Sequence, residues 1–131
     1  MQKQSKMETN NDKLKMMWCQ QEAFMRLLQE KRSFTEFPVD ITAKSGQKIV
    51  KDITHECMHE LFEANQHLKN SKDHRVTDVK NFDRDAYIEE LSDALHYFIE
   101  IAILTGVSMD ELYEKYIQKG SINVERINSG Y

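Results

Sequence analysis

A chain of 131 residues, 40% hydrophobic and 31% charged, has the proportions of one soluble domain, large enough for a core but marginal as a lone bundle. The formal net charge of −4 leaves no basic footprint for DNA or RNA, so any phosphate binding has to come from cations and a few local side chains. There is no run of about 18 apolar residues and no signal-peptide core, which excludes a membrane span and points to a cytoplasmic protein whose two cysteines, Cys19 and Cys57, are reduced thiols.

With four glycines, one proline, weak β-alternation and no internal repeat, the sequence predicts an all-α fold. Residues 1–11 are polar and read as a flexible tail. Leu14, Met17, Trp18, Gln21, Phe24, Met25 and Leu28 then recur at three- and four-residue spacing, predicting a first helix from Asp12 to Arg32. Residues 33–46, with Pro38 and Gly46, read as a long connecting loop of the kind that often contacts ligands. A second helix is predicted from Gln47 to Asn70, its stripe formed by Ile49, Ile53, Cys57, Leu61, Ala64 and Leu68. A third starts at Asp83 or Asp85 and ends at Gly106, with Tyr87, Leu91, Ala94, Leu95, Phe98, Ile101 and Ala102 facing the core. Ser108 and Glu111 form a capping-box pattern that opens a fourth helix, with Gly120 as its stop and residues 121–131 as a tail.

Two pairs of acids stand out against this frame. Glu60 and Glu63 are three residues apart, as are Glu90 and Asp93, and residues 64–89, 26 in all, separate the pairs. At 100° per residue Glu56, Glu60 and Glu63 cluster beside the apolar stripe of their helix, and Glu90 and Asp93 do the same on theirs, with Tyr97 one turn beyond. Single helical acids are ordinarily solvated surface groups. Two border clusters on neighbouring helices instead call for a neutralising cation, and an all-oxygen donor set favours Mg²⁺. Carboxylate-held Mg²⁺ suggests in turn a phosphate-bearing substrate.

Residues 55–59, His-Glu-Cys-Met-His, match the H-E-x-x-H zinc pattern. The extended form of that motif requires Gly and His where Phe62 and Asn65 stand, although Glu89 or Glu90 could be nominated as a third ligand. His55 and His59 are also expected to face solvent, whereas zinc-peptidase histidines face a cleft, so they read as surface residues. Near the C-terminus Lys119, Asn123 and Arg126 offer a point charge, an amide and a planar fork suited to phosphate oxygens. Basic residues near a helix end otherwise serve only to complement its dipole.

Together these motifs resemble the all-α nucleoside triphosphate pyrophosphatase superfamily, whose signature is ExxE, roughly 12 to 28 residues, then ExxD. Within it the chain is most similar to the dimeric dUTPase branch, especially phage-type members, over residues 53–131 and down to the closing Gly130-Tyr131. The resemblance implies a four-to-five-helix bundle assembling as a homodimer or homotetramer. Its Mg²⁺, for which Mn²⁺ can substitute, would be held by Glu60, Glu63, Glu90 and Asp93, with Glu56 as an accessory. It implies Glu56 or Glu60 as the water-activating base, Gln21 at the base of the nucleotide, and Lys119, Asn123 and Arg126 on the phosphates. The implied reaction converts a deoxynucleoside triphosphate, dUTP foremost, to the monophosphate and pyrophosphate. Two departures bear on the substrate: HLKNSKDHR replaces a Trp-rich segment, and Met25 occupies the place of a base-reading Asn. A broader dNTP pyrophosphatase, a non-enzymatic helical module and a zinc peptidase are the alternative readings of the same residues.

Overall fold

The computed structural model describes residues 12–69, 72–76, 78 and 81–130. Among them four α-helices form: α1 Lys13–Arg32, α2 Lys44–Asn65, α3 Arg84–Leu104 and α4 Met109–Asn128. The described residues contain no strand, so the fold is all-α as predicted. No described helix is long and apolar enough to cross a membrane. The N-terminal tail expected for residues 1–11, and the final Tyr131, lie outside the described residues.

The chain divides into two compact units, Pro38–Thr105 and the paired ends Met1–Phe37 with Gly106–Tyr131. In the first, α2 packs along α3. Asp83 caps α3 by accepting the Ala86 N–H at 3.1 Å, and the Val39 N–H donates to the Leu104 carbonyl at 2.8 Å, tying the preceding loop to the end of α3. Cys57 Sγ donates to the Ala94 carbonyl at 3.3 Å, so the two helices touch where both side chains are small. In the second unit α1 is capped by Asp12, which accepts the Lys15 N–H at 3.0 Å. Trp18, Gln21 and Met25 lie on its covered face, and Arg26 stacks 4.9 Å from the Phe37 ring centroid. The Ser108–Glu111 capping box of α4 is complete, both reciprocal hydrogen bonds being formed.

Two boundaries differ from expectation. Helix α2 begins at Lys44, so Gly46 is helical rather than a loop residue, and it ends at Asn65, short of Asn70. Gly46 is needed because a Cβ there would overlap the backbone carbonyl of Asp40. The loop doubles back tightly at that point, the Asp40 carboxylate accepting both the N–H and the hydroxyl of Thr42, at 3.0 and 2.6 Å. Helix α4 does not stop at Lys119 but runs on to Asn128, and Gly130, at φ 78°, follows its end. A glycine inside a helix costs only about 1 kcal/mol against alanine. Favourable residues on both sides carry the helix through Gly120, so the expected tail of residues 121–131 is helix as far as Asn128.

The predicted core stripes are also only partly covered. Ala64, Ala94 and Ala102 are buried, but Leu61, Leu91, Leu95 and Phe98 are 40–48% exposed in the single chain. Periodicity identifies the faces that avoid water; it does not say whether the cover comes from the same chain.

Candidate metal centre

Helices α2 and α3 run antiparallel, because matched positions fall on one as they rise on the other. Cys57 meets Ala94, Glu60 stands beside Asp93, and Glu63 is within hydrogen-bonding reach of Glu90. Turning α2 back by three or four residues therefore keeps pace with turning α3 forward by as many. The two acidic borders read from the sequence consequently face each other across one groove.

In that groove one carboxylate oxygen each from Glu60, Glu90 and Asp93 lies within 4.8 Å of the others, and all three residues are half-buried. Glu63 is adjacent but divided: its Oε1 lies 2.9 Å from His59 Nε2 on the same helix, while its carboxyl also acts on Glu60 and Glu90. Glu60 Oε2 is buried without a hydrogen-bond partner. Burial, followed by the Glu63, Glu90 and Asp93 carboxyls, pushes Glu60 up to about 7. Glu90 is also raised, first by burial and then by Glu63, while Glu60 pulls the other way. Ionising one of these crowded carboxyls makes ionising the next harder.

These residues fit a hard divalent cation. The donors are all carboxylate oxygens, converging from two helices, and one of the oxygens is removed from water with nothing to accept from. No histidine belongs to the trio. His55 is exposed, and His59 turns to Glu63 on its own helix, so the H-E-x-x-H spacing assembles no zinc site among the described residues.

Glu56 lies one turn beyond Glu60 and is exposed. Tyr97, on α3 and half-buried, has its phenol raised by burial and then by Glu56, Glu60, Glu100 and Asp93. Glu100, two turns on from Asp93, escaped the sequence reading. It is 4% exposed, and burial pushes its carboxyl up to about 7. Its seven-residue offset from Asp93 was the available signal, masked by the apolar residues around it.

The remaining candidates belong to the other unit. Gln21 is 3% exposed and Met25 fully covered, both on one face of α1. Lys119, Asn123 and Arg126, now on one continuous helix, share a face of α4 at spacings of four and three residues.

The profile of the dUTPase family matches residues 1–131. The chain belongs to the dUTPase family. This is the all-α dUTPase family of the nucleoside triphosphate pyrophosphatase type. No curated protein and no solved structure matches the chain. Membership supports a nucleotide hydrolase, and the facing acids on α2 and α3 are where this dUTPase-family chain gathers carboxylate oxygens.

Proposed function

We propose that the protein is a Mg²⁺-dependent dUTP diphosphatase, converting dUTP and water to dUMP and pyrophosphate by breaking the bond between the α- and β-phosphates. The observation that carries this reading is the convergence of Glu60, Glu90 and Asp93 around the unpartnered Oε2 of Glu60. Family membership supplies the nucleotide.

In this reading Glu60, Glu90 and Asp93 hold the cation, with Glu63 completing the set. When bound, Mg²⁺ (or Mn²⁺ in its place) neutralises the phosphate charge and that which develops in an in-line displacement. A carboxylate committed to a cation is a poor base. Glu56, outside the trio yet on the same border, is therefore the better of the two candidates to take the proton from the attacking water. By the family resemblance Lys119, Asn123 and Arg126, which share a face of α4, are assigned to the phosphates and Gln21 to the base.

The protein acts as a homodimer or homotetramer. Ile88, Leu91, Leu95 and Phe98 repeat every three and four residues along α3 and are 40–48% exposed, the pattern of a helix seam awaiting a second copy.

The test is incubation with Mg²⁺ and, separately, dUTP, dCTP, dATP, dGTP and dTTP, resolving mono- from diphosphate products. Release of dUMP and pyrophosphate from dUTP alone is the expected result. Turnover of several nucleotides would instead favour the broader pyrophosphatase, a second reading supported by Met25, whose covered thioether offers no amide to read uracil. Turnover of none, also with Mn²⁺, would leave a helical interaction module.

A further inference from the structure

The H-E-x-x-H spacing assembles no zinc site, but its second histidine makes a definite contact. His59 and Glu63 stand one turn apart on α2, and His59 Nε2 lies 2.9 Å from Glu63 Oε1. An imidazole N–H donates in the charged form of the ring and in one neutral tautomer, so the contact does not depend on charge. Exposed pairs of this kind ordinarily add little to stability. The side chains of His59 and Glu63 are 64% and 39% exposed, so the fold gains little from this one. Its consequence lies in what it does to Glu63.

Of the four paired acids, Glu63 is not among the three whose oxygens converge within 4.8 Å, although it borders them. With Oε1 taken by His59, Oε2 is the oxygen left to join Glu60, Glu90 and Asp93. A single-oxygen donor suits Mg²⁺, whose near-octahedral shell accommodates poorly the narrow two-oxygen bite of a carboxylate. A glutamate already held by a neighbour also has less rotamer freedom to lose when it becomes a ligand.

We propose that His59 is a positioning residue for the cation centre, its Nε2–H holding Oε1 of Glu63 so that Oε2 alone is presented beside Glu60, Glu90 and Asp93. This rests on the reading of those acids as the Mg²⁺ site. His59 itself is not a ligand. The last histidine of the H-E-x-x-H match thus supports a carboxylate of an oxygen site.

Calorimetric titration of Mg²⁺ into the nucleotide-free full chain reads the effect directly. His59→Ala weakens Mg²⁺ binding about 10-fold, the usual cost of losing a group that orients a ligand. His59→Gln, whose amide can still donate to a carboxylate one turn along, stays within about threefold of the unsubstituted protein. In a Glu63→Gln background, itself weaker, His59→Ala costs less than about twofold more. The Mg²⁺ concentration for half-maximal dUTP turnover rises in step, while kcat at saturating Mg²⁺ stays within about twofold. Unchanged or tighter Mg²⁺ binding in His59→Ala would overturn the proposal, the tighter result marking the histidine as a competitor for Glu63. So would equal losses with and without the Glu63 carboxylate. A lower melting temperature in chelator with Mg²⁺ affinity kept would reduce the pair to a merely structural one. Failure of the underlying reading looks different: the unsubstituted protein would then bind no Mg²⁺, and this proposal would fall with it.

Discussion

Glu60→Gln should make the cation-free protein more stable at alkaline pH, although it removes a residue from the centre of the proposed site. The Glu60 carboxyl is pushed from 4.5 to about 7 by burial and by the neighbouring acids. A folded chain that binds a proton more tightly than the unfolded one loses stability as pH rises between those two values, and the loss is complete above about 7. Taken whole, the displacement corresponds to about 3 kcal/mol. Solvent on the open side of the groove screens part of it, leaving about 1–2 kcal/mol. For a chain of this size each kcal/mol moves Tm by roughly 4 °C, so the variant should melt about 4–8 °C above the unsubstituted protein at pH 8 in chelator. At pH 4.5 the two should melt together. Adding Mg²⁺ at pH 8 should raise the unsubstituted protein and leave the variant nearly unmoved. Thermal circular dichroism with and without Mg²⁺ at both pH values reads all of this. A variant that melts lower at pH 8 in chelator, or that gains as much from Mg²⁺ as its parent, would refute the reasoning.

Other substitutions probe the rest of the molecule. Gly120→Ala should stabilise α4 by about 0.5–1 kcal/mol, since nothing lies within 4 Å of the added Cβ, whereas Gly46→Ala should destabilise by about 1–3 kcal/mol against the Asp40 carbonyl; denaturant unfolding distinguishes them. Leu95→Glu should convert the assembly to monomer in light scattering while the chain stays helical, and an unchanged mass would remove α3 as the seam. Arg126→Ala should raise KM for dUTP about 10-fold or more while the Mg²⁺-induced thermal shift persists, as loss of a charge-assisted phosphate contact predicts; a normal KM would take α4 out of the site.

What the sequence discloses here depends on whether a feature is local. The caps at Asp12, Asp83 and Ser108 are written in residues three apart, and all three form. The acidic borders were legible because helical angle alone fixes their side of α2 and α3. That the borders meet depends on register, and the Cys57–Ala94 contact that goes with this register is a pairing of small residues that no periodicity marks. Gly46 and Gly120 look alike in sequence but differ in place: one admits a carbonyl, while the other faces open space inside a helix. The apolar stripe of α3 reads as core because Leu91, Leu95 and Phe98 share the helical period of Ala94 and Ala102, yet these three are 40–48% exposed: period alone marks an apolar face and not what covers it. Glu100 was missed because a buried acid among Ile99, Ile101 and Ala102 has the periodicity of its neighbours, not of the groove.

The most direct test of the account follows dUTP turnover as Mg²⁺ is titrated, in the unsubstituted protein and in Asp93→Asn. The account predicts dUMP and pyrophosphate released with a saturable dependence on Mg²⁺, abolished by chelator, and reduced at least about 1000-fold by the substitution. Turnover that survives chelation, or that Asp93→Asn leaves intact, would contradict it.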